Sequence, residues 1–519
     1  MKIGARITYG VMASWLNRAV AIVLNLVLMP VLFRYMGREE LGLWFLLGQS
    51  GAFLALMDFG LTPTLIRRIA FANSETHSLE HDEKIDEYYD SGSVTVAELI
   101  TVSALIYRCM AVGVFLLSWG AGLLFLEQLG LGEELYHNVF WAWTILSLGY
   151  AFNVWVGYWP CLLQGLGYVS ANLYIGMTIN ILVAVSQIVI VLMGGGIVEL
   201  ALSFIAGSVL TRCVTVMFLY IKNPLVRRKS RHWRGDIFSD LFRPAIKAWI
   251  TVLGGFLVIK TDQYFIAVFK GAQEIPAYHA AYQLTSNLYM LAVALAGSSS
   301  VFVSYLWQEQ RYNQVRNIAI RSLQSGLSIM ACGIVCLVLV GEAIIHSWLG
   351  AGNFIGGPVL MVFCIMLFLQ VQHEMFMTLS RATEDEAYAL VSLMAGGLNL
   401  LLTYFLIQLM GLPGVALGTL LAQLFTNNWY GVYRGTKRLG ISLRSYILEI
   451  VFPVAGVLVV AFYTAGYAVS LASTAEVQIY NIIAAVLASG LVLFCALLIF
   501  LAPGSIRYIN PIYRKRMIR

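Results

Sequence analysis

Residues 12–33 read MASWLNRAVAIVLNLVLMPVLF, long enough as a helix to cross a bilayer. Runs of this kind recur to the end of the chain. Counting those that can cross about 30 Å of hydrocarbon gives about fourteen, centred near residues 20, 53, 115, 150, 182, 210, 256, 291, 335, 369, 397, 424, 459 and 490. Lipid offers the backbone no hydrogen-bond partner, and lengths near twenty residues suit helices rather than barrel strands. The expectation is an all-α polytopic membrane protein. Composition agrees: of 519 residues, 60% are hydrophobic and only 12% charged, and the mean hydropathy is +0.79. The first run is too long for a signal-peptide core and reads as an uncleaved span.

The formal net charge of +6 is distributed as topology requires. Basic clusters stand at KNPLVRRKSRHWR (222–234), QEQRYNQVRNIAIR (308–321), YRGTKRLGISLR (433–444) and YRKRMIR (513–519), after even-numbered runs. The loops EQLGLGEELYHN, GGGIVE, LGAGNFIGGP and ASTAEVQ after odd-numbered runs are poor in Lys and Arg. By the positive-inside rule both termini are expected on the cytoplasmic side. A nucleic-acid partner would need these cations on one surface, so none is expected. The acidic stretch 72–101 carries His77 and His81 four apart, which reads as a solvated segment rather than a metal face. The seven cysteines all fall in apolar runs and suggest neither a disulfide framework nor a zinc site.

An internal repeat is visible. MGREELGLW (36–44) aligns without a gap on KGAQEIPAY (270–278), pairing Gly37 with Gly271 and Glu40 with Glu274. Asn180 and Asn399 recur midway along the fifth and eleventh runs. The implied unit is six helices, and an even number gives both copies one orientation. The expected domains are residues 1–221, a basic linker 222–243, a second lobe 244–440, and two further helices with a basic tail over 441–519. Two parallel lobes that can rock suggest alternating access to a midplane cavity.

Charged groups inside spans are costly and mark function or structure. In the first lobe these are Arg18, flanked by Asn17 and Asn25, then Asp58, Arg108 and Arg212, with Arg67 and Arg68 after Asp58. In the second they are Lys260, Asp262, His373 and Glu374. Arg67, Arg68, Arg108 and Arg212 lie near inner ends, where they can snorkel to headgroups instead of lining a cavity. Arg18 is about 15 Å beyond Thr8 on a helical rise, too deep for that to be easy. Lys260 and Asp262 can equally form a structural pair. Lys260 and Tyr264, four apart, would share a helix face. Asp58 has two readings: a titrating group coupled to H+ or Na+, or an acid that fixes Arg67, Arg68 or nearby backbone where Gly60 and Pro63 weaken the helix. With no Gly-Lys dipeptide there is no Walker A loop, and no G-x-S-x-G or H-E-x-x-H occurs. An enzyme is not expected.

The segment MDFGLTPTLIRRIA resembles the D-[FL]-G-hydrophobic pattern, followed by basic residues, of polysaccharide repeat-unit flippases in the multidrug/oligosaccharidyl-lipid/polysaccharide exporter superfamily. LMPVLFRYMGREELGLW, KTDQYFIAVFKGAQEIPAYHAAYQL and GLPGVALGTLLAQL are similar to other turns of that family, in the same order. The resemblance implies a flippase of the bacterial inner membrane. Its substrate would be an undecaprenyl-pyrophosphate-linked oligosaccharide, moved to the periplasmic leaflet for O-antigen or exopolysaccharide assembly, with a polymerase and chain-length or export proteins as partners. Arg18, Lys260, Arg212, Arg67 and Arg68 would offer cations to the pyrophosphate. Asn17, Asn25, Tyr264, Tyr282 and Trp307 would line the polar and aromatic surface met by sugars. Asp58, Asp262 and Glu374 would be the groups for H+ or Na+ coupling. No metal cofactor is implied. A cation-coupled multidrug antiporter and a lipid II flippase are the alternatives within the superfamily.

Overall fold

The computed structural model describes residues 3–79, 95–223, 252–385, 387–473 and 478–501, with a few isolated positions between 226 and 250. Residues 80–94 of the acidic stretch, with His81, most of the basic linker and the basic tail lie outside the described residues. Every regular element among those described is a helix. In order these are α1 (Ile3–Tyr35), α2 (Arg38–Ala55), α3 (Leu61–Leu79), α4 (Val96–Glu127), α5 (Glu133–Trp155), α6 (Tyr158–Gly165), α7 (Val169–Leu192) and α8 (Ile197–Lys222). There follow α9 (Asp262–Lys270), α10 (Ile275–Gln308), α11 (Tyr312–Leu349), α12 (Gly357–Arg381), α13 (Ala389–Met410), α14 (Leu412–Gln423), α15 (Trp429–Arg438), α16 (Phe452–Ala472) and α17 (Gln478–Leu501).

Twelve helical stretches among the described residues are long and apolar enough to cross a membrane, so the chain is a multi-pass membrane protein. The sequence led us to expect two more, near residues 53 and 424, and both regions are broken. After α2 the backbone tightens into a 3-10 turn at Leu56–Asp58. After α14 it widens into a π-turn at Leu424–Asn428 before α15. A second π-turn, Tyr446–Val451, opens the segment leading into α16.

The chain divides into two compact units: residues 1–256 with 266–275, and residues 257–265 with 276–519. In the first unit α1 packs on α7, and α5 packs on both α4 and α8. Its core gathers Leu61, Leu65 and Ile69 of α3, Leu99 and Ile106 of α4, and Leu162 and Leu163 of α6. The helix ends are closed locally. Thr95 and Glu98 cap α4 reciprocally, the Glu98 N–H donating to Thr95 Oγ1 at 3.3 Å and the Thr95 N–H to Glu98 Oε2 at 2.9 Å. Glu40 reaches the start of α8, where it accepts the Ile197 N–H at 3.1 Å, and an acid at a helix N-terminus is favoured by the dipole. The turn Ala272–Glu274, related by the repeat to the start of α2, lies against α2.

In the second unit α12 is the most enclosed span among the described residues, while α16 and α17 are largely exposed. The contrast follows from their sides: α12 packs on α11, α14 and α15, whereas α16 and α17 turn Tyr463, Tyr467, Leu491 and Ile499 outward, as lipid-facing helices do. Cys332 pairs with Val335, Ala461 and Ala465 in a small-residue contact between α11 and α16, and all seven cysteines are free.

Candidate functional site

In the first unit the sequence Asp58-Phe59-Gly60 ends one helix and starts the next. Phe59 has φ 48° and Gly60 φ 71°, two consecutive left-handed residues that no helix continues through. Gly60 tolerates this without strain, while Phe59 carries its cost as part of the break. The new helix α3 begins at Leu61, with Pro63 in its first turn, where a missing N–H costs nothing. Asp58 satisfies the freed donors. Its Oδ2 accepts the Thr62 N–H at 3.0 Å, and its Oδ1 accepts the Thr62 and Tyr107 hydroxyls, each at 3.0 Å. Behind the break, Trp249 Nε1 donates to the Leu56 carbonyl at 2.7 Å, with its ring 5.3 Å from that of Phe59. Arg67 and Arg68 follow on α3 and are exposed; Asp58 is occupied by Thr62 and Tyr107 instead.

Arg18 is exposed and has no hydrogen-bond or ion-pair partner among the described residues. Arg18, Ile22, Asn25, Met29, Leu32 and Met36 recur at four- and three-residue steps along one face of α1. Met29, Leu32 and Met36 on that face are buried. The exposed apolar residues Met12, Leu16, Val23 and Val27 occupy the opposite side. Arg18 and Asn25 continue the line of Met29, Leu32 and Met36 but are themselves exposed, whereas at their own level the buried Ala13 and the half-buried Val20 and Leu24 lie on another side of α1. Asn17 lies beside that stripe and is half-buried.

The other cations of this unit are engaged. Arg108 lies over the Trp155 ring at 5.7 Å. Arg212 donates from Nη2 to Asn153 Oδ1 at 3.1 Å, so it turns toward α5 rather than out to headgroups. Asn153 carries no charge and no recognisable motif, and the sequence reading missed it.

The helical stretch over 252–259, whose end belongs to the second unit, stops at bends at Lys260 and Thr261, and α9 starts at Asp262. Lys260 and Tyr264 thus do not share one continuous helix face, as their spacing had suggested. The break frees carbonyls that Asn399 collects, its Nδ2 donating to Leu257 O at 2.9 Å and Val258 O at 3.2 Å. Asp262 is 5% exposed and held by hydroxyls alone among the recorded contacts: Tyr278 OH at 2.6 Å and Thr419 Oγ1 at 3.1 Å. Thr403 Oγ1 donates to Asn399 Oδ1 at 3.3 Å. Next to the break, Gln263 Nε2 and His279 Nδ1 are 2.8 Å apart. Lys260 is half-buried, and no hydrogen bond or ion pair ties its ammonium among the described residues.

The remaining expected residues are dispersed. Tyr264 and Tyr282 are half-buried, Tyr282 packing edge-on against Phe363 at 5.7 Å. Glu374 lies on α12, its nearest recorded donor Thr378 Oγ1 at 3.5 Å. Trp307 is covered: the Arg438 guanidinium sits over its ring at 4.5 Å and Tyr312 packs at 4.9 Å. Arg438 also donates to Thr383, while Arg434 grips Asp385 with both prongs, at 2.8 and 2.9 Å. Burial pushes the Asp385 carboxyl up, but the Arg434 fork outweighs it and holds the group below the usual carboxylate range. This is a latch at the ends of α12 and α15 in which Trp307 takes part.

Chemically, Asp262 with Thr419, and Asn399 with Thr403, form an oxygen-rich pair of contacts suited to a proton or a monovalent cation. No group of three His, Cys, Asp or Glu able to hold a metal occurs among the described residues. Arg18 and Lys260 are cations with no hydrogen-bond or ion-pair partner among the described residues.

Residues 9–302 match the family model described as polysaccharide biosynthesis protein. No curated protein matches the chain. Among solved structures, the lipid II flippase MurJ in an inward closed conformation aligns over 98% of this chain and 100% of its own, at 15% identity and a TM-score of 0.64. An inward-facing multidrug resistance MATE family transporter of the MOP superfamily covers 81% and 96%, at 14% identity and 0.61. A MOP superfamily transporter from Pyrococcus furiosus, described as having a binding pocket of reverse polarity, covers 84% and 95%, at 13% identity and 0.60. These likenesses show the fold, which is that of the MOP superfamily. With more than half its length matched, the chain belongs to the polysaccharide biosynthesis protein family.

Proposed function

We propose that this protein is a flippase of the bacterial inner membrane. It moves undecaprenyl-pyrophosphate-linked oligosaccharide repeat units from the cytoplasmic to the periplasmic leaflet by alternating access, for O-antigen or exopolysaccharide assembly. What supports this reading is a pair of cations without acidic partners among the described residues, Arg18 on α1 and Lys260 at the break before α9, in a chain of a polysaccharide biosynthesis family. A pyrophosphate cannot enter hydrocarbon unaided. Fixed cations in a low-dielectric interior replace its hydration, and guanidinium geometry matches its oxygens. A carrier of cationic drugs would want the reverse, acids left free and cations neutralised.

Asp262 is the proposed coupling group. Rotatable hydroxyls hold it, so a proton or Na+ can take their place without unravelling a helix end. The lipid-linked glycan then travels one way while the ion returns the protein to its starting state.

The alignment over the full length of MurJ favours a second reading, flipping of the cell-wall precursor itself. A deletion strain separates the two. The repeat-unit reading expects viable cells that lose surface polysaccharide and accumulate lipid-linked repeat units facing the cytoplasm. Loss of viability with lysis would favour the second reading, and normal surface polysaccharide in viable cells would remove the first.

A further inference from the structure

Arg212 sits well inside the span, about 15 Å from the C-terminal end of α8 and about 22 Å from its N-terminal end. It shares a helix face with Ser208, four residues before it, and with the buried Thr215 and Leu219, three and seven after it. The exposed Leu210 and Met217 lie on the other side. The guanidinium is therefore directed into the unit.

Its partner is oriented without ambiguity. Asn153 Nδ2 donates to the Gly149 carbonyl at 3.0 Å and to Ser208 Oγ at 2.9 Å. A carbonyl can only accept, so the amide nitrogen must be on that side and Oδ1 must face Arg212. Oδ1 then takes one N–H of the guanidinium, at 3.1 Å. Arg212 Nε is buried with no partner among the described residues.

What this contact omits is a counter-charge. The interior acid of the same unit is Asp58, and its recorded contacts are all with neutral groups of Thr62 and Tyr107. No ion pair joins acid and guanidinium among the described residues; the neutral Tyr107 and Cys161 stand near both. A guanidinium held by an amide is not neutralised, yet it has lost part of its hydration, a combination that an anion can relieve. An aspartate at position 153 would fill the same space and cancel the charge. The chain has asparagine there.

We propose that Arg212, held by Asn153 and Ser208, is an anion site of the N-terminal unit for a phosphate-type oxyanion, with Asn153 as the positioning residue that orients the guanidinium without neutralising it. The inference deepens the flippase reading and rests on it only for the source of the phosphate, which is the lipid-linked pyrophosphate or a phospholipid headgroup.

The test uses the full-length protein in detergent, with undecaprenyl pyrophosphate and phosphatidylglycerol titrated separately. Asn153→Asp should weaken undecaprenyl pyrophosphate binding at least about ten-fold, and Asn153→Ala only about three-fold. A purely structural role predicts the opposite order, because aspartate has the shape of asparagine and alanine does not. Arg212→Gln should match Asn153→Asp. A loss confined to undecaprenyl pyrophosphate assigns the site to the substrate. A loss shared with phosphatidylglycerol, or seen with it alone, supports an anion site that holds a headgroup. Wild-type affinity of Asn153→Asp for both lipids, with melting unchanged, overturns the proposal. Should the wild-type protein ignore undecaprenyl pyrophosphate while phosphatidylglycerol binding responds to Asn153→Asp, the flippase reading fails and this one stands.

Discussion

Asp58 and Asp262 each stand where a membrane helix is interrupted, yet the two are held differently. Asp58 is partly accessible and accepts a backbone N–H, that of Thr62, in addition to two hydroxyls. Its carboxylate is a helix cap, and the geometry of Phe59, Gly60 and Leu61 depends on it. Asp262 is enclosed, and its recorded partners are the hydroxyls of Tyr278 and Thr419. The backbone at its break is served by a separate residue, Asn399. One acid is committed to the fold; the other has been relieved of that duty. An acid freed from capping can change its charge or its ligand during a cycle without dismantling a helix end.

The comparison can be broken at several points. Asp262→Asn should have the largest effect, reducing transport in proteoliposomes about a hundred-fold, or by about 2.7 kcal/mol in the barrier, and abolishing its response to a proton or sodium gradient. Gradient-dependent transport surviving in that variant would dissociate Asp262 from coupling. Asn399→Leu removes a donor shared by two carbonyls of the break, of which Leu257 O keeps the Thr261 hydroxyl, and thermal unfolding should show a loss of about 1–2 kcal/mol. If instead Asn399→Leu is as stable as wild type, the division of labour between Asn399 and Asp262 is wrong. Asp58→Ala removes a cap and should cost about 1–2 kcal/mol of stability, while transport per folded molecule stays within about two-fold. Gradient dependence lost in Asp58→Ala would make the two acids equivalent.

The smallest effect concerns the latch at Asp385. Its carboxyl is held below the usual range, so its contribution is complete above the unfolded-state value of about 3.9 and fades as pH falls through the lower folded value. Asp385→Asn should therefore cost about 1 kcal/mol at pH 7, and the difference from wild type should shrink in acid. A gap that is constant between neutral and strongly acidic pH would mean the Arg434 fork is not its source.

Much of this architecture was written locally. Apolar runs of bilayer length announce helices, and Asp58-Phe59-Gly60 with Pro63 announces a break because glycine and proline act on their own neighbours. The break at Lys260 and Thr261 has no such punctuation, so spacing alone placed Lys260 and Tyr264 on one helix face. The π-turn at Leu424–Asn428 likewise contains neither glycine nor proline, and the run through it reads as continuous. Side-chain partnerships were the least legible. Thr419 meets Asp262 across 157 positions and Asn399 reaches Val258 across 141, matches set by how helices pack rather than by anything near them in sequence. The sequence offers Trp307 as an aromatic for sugars; the Arg438 guanidinium, 131 residues further along the chain, lies over its ring, a contact no local pattern announces.

The most direct test of the account is translocation itself, measured with a fluorescent undecaprenyl-pyrophosphate oligosaccharide in proteoliposomes containing the purified full-length protein. The wild type should carry the labelled lipid between leaflets, and Lys260→Ala and Arg18→Ala should each slow it at least about five-fold while inserting and melting as wild type does. Translocation by both variants at the wild-type rate, or none by the wild type under either a proton or a sodium gradient, would contradict it.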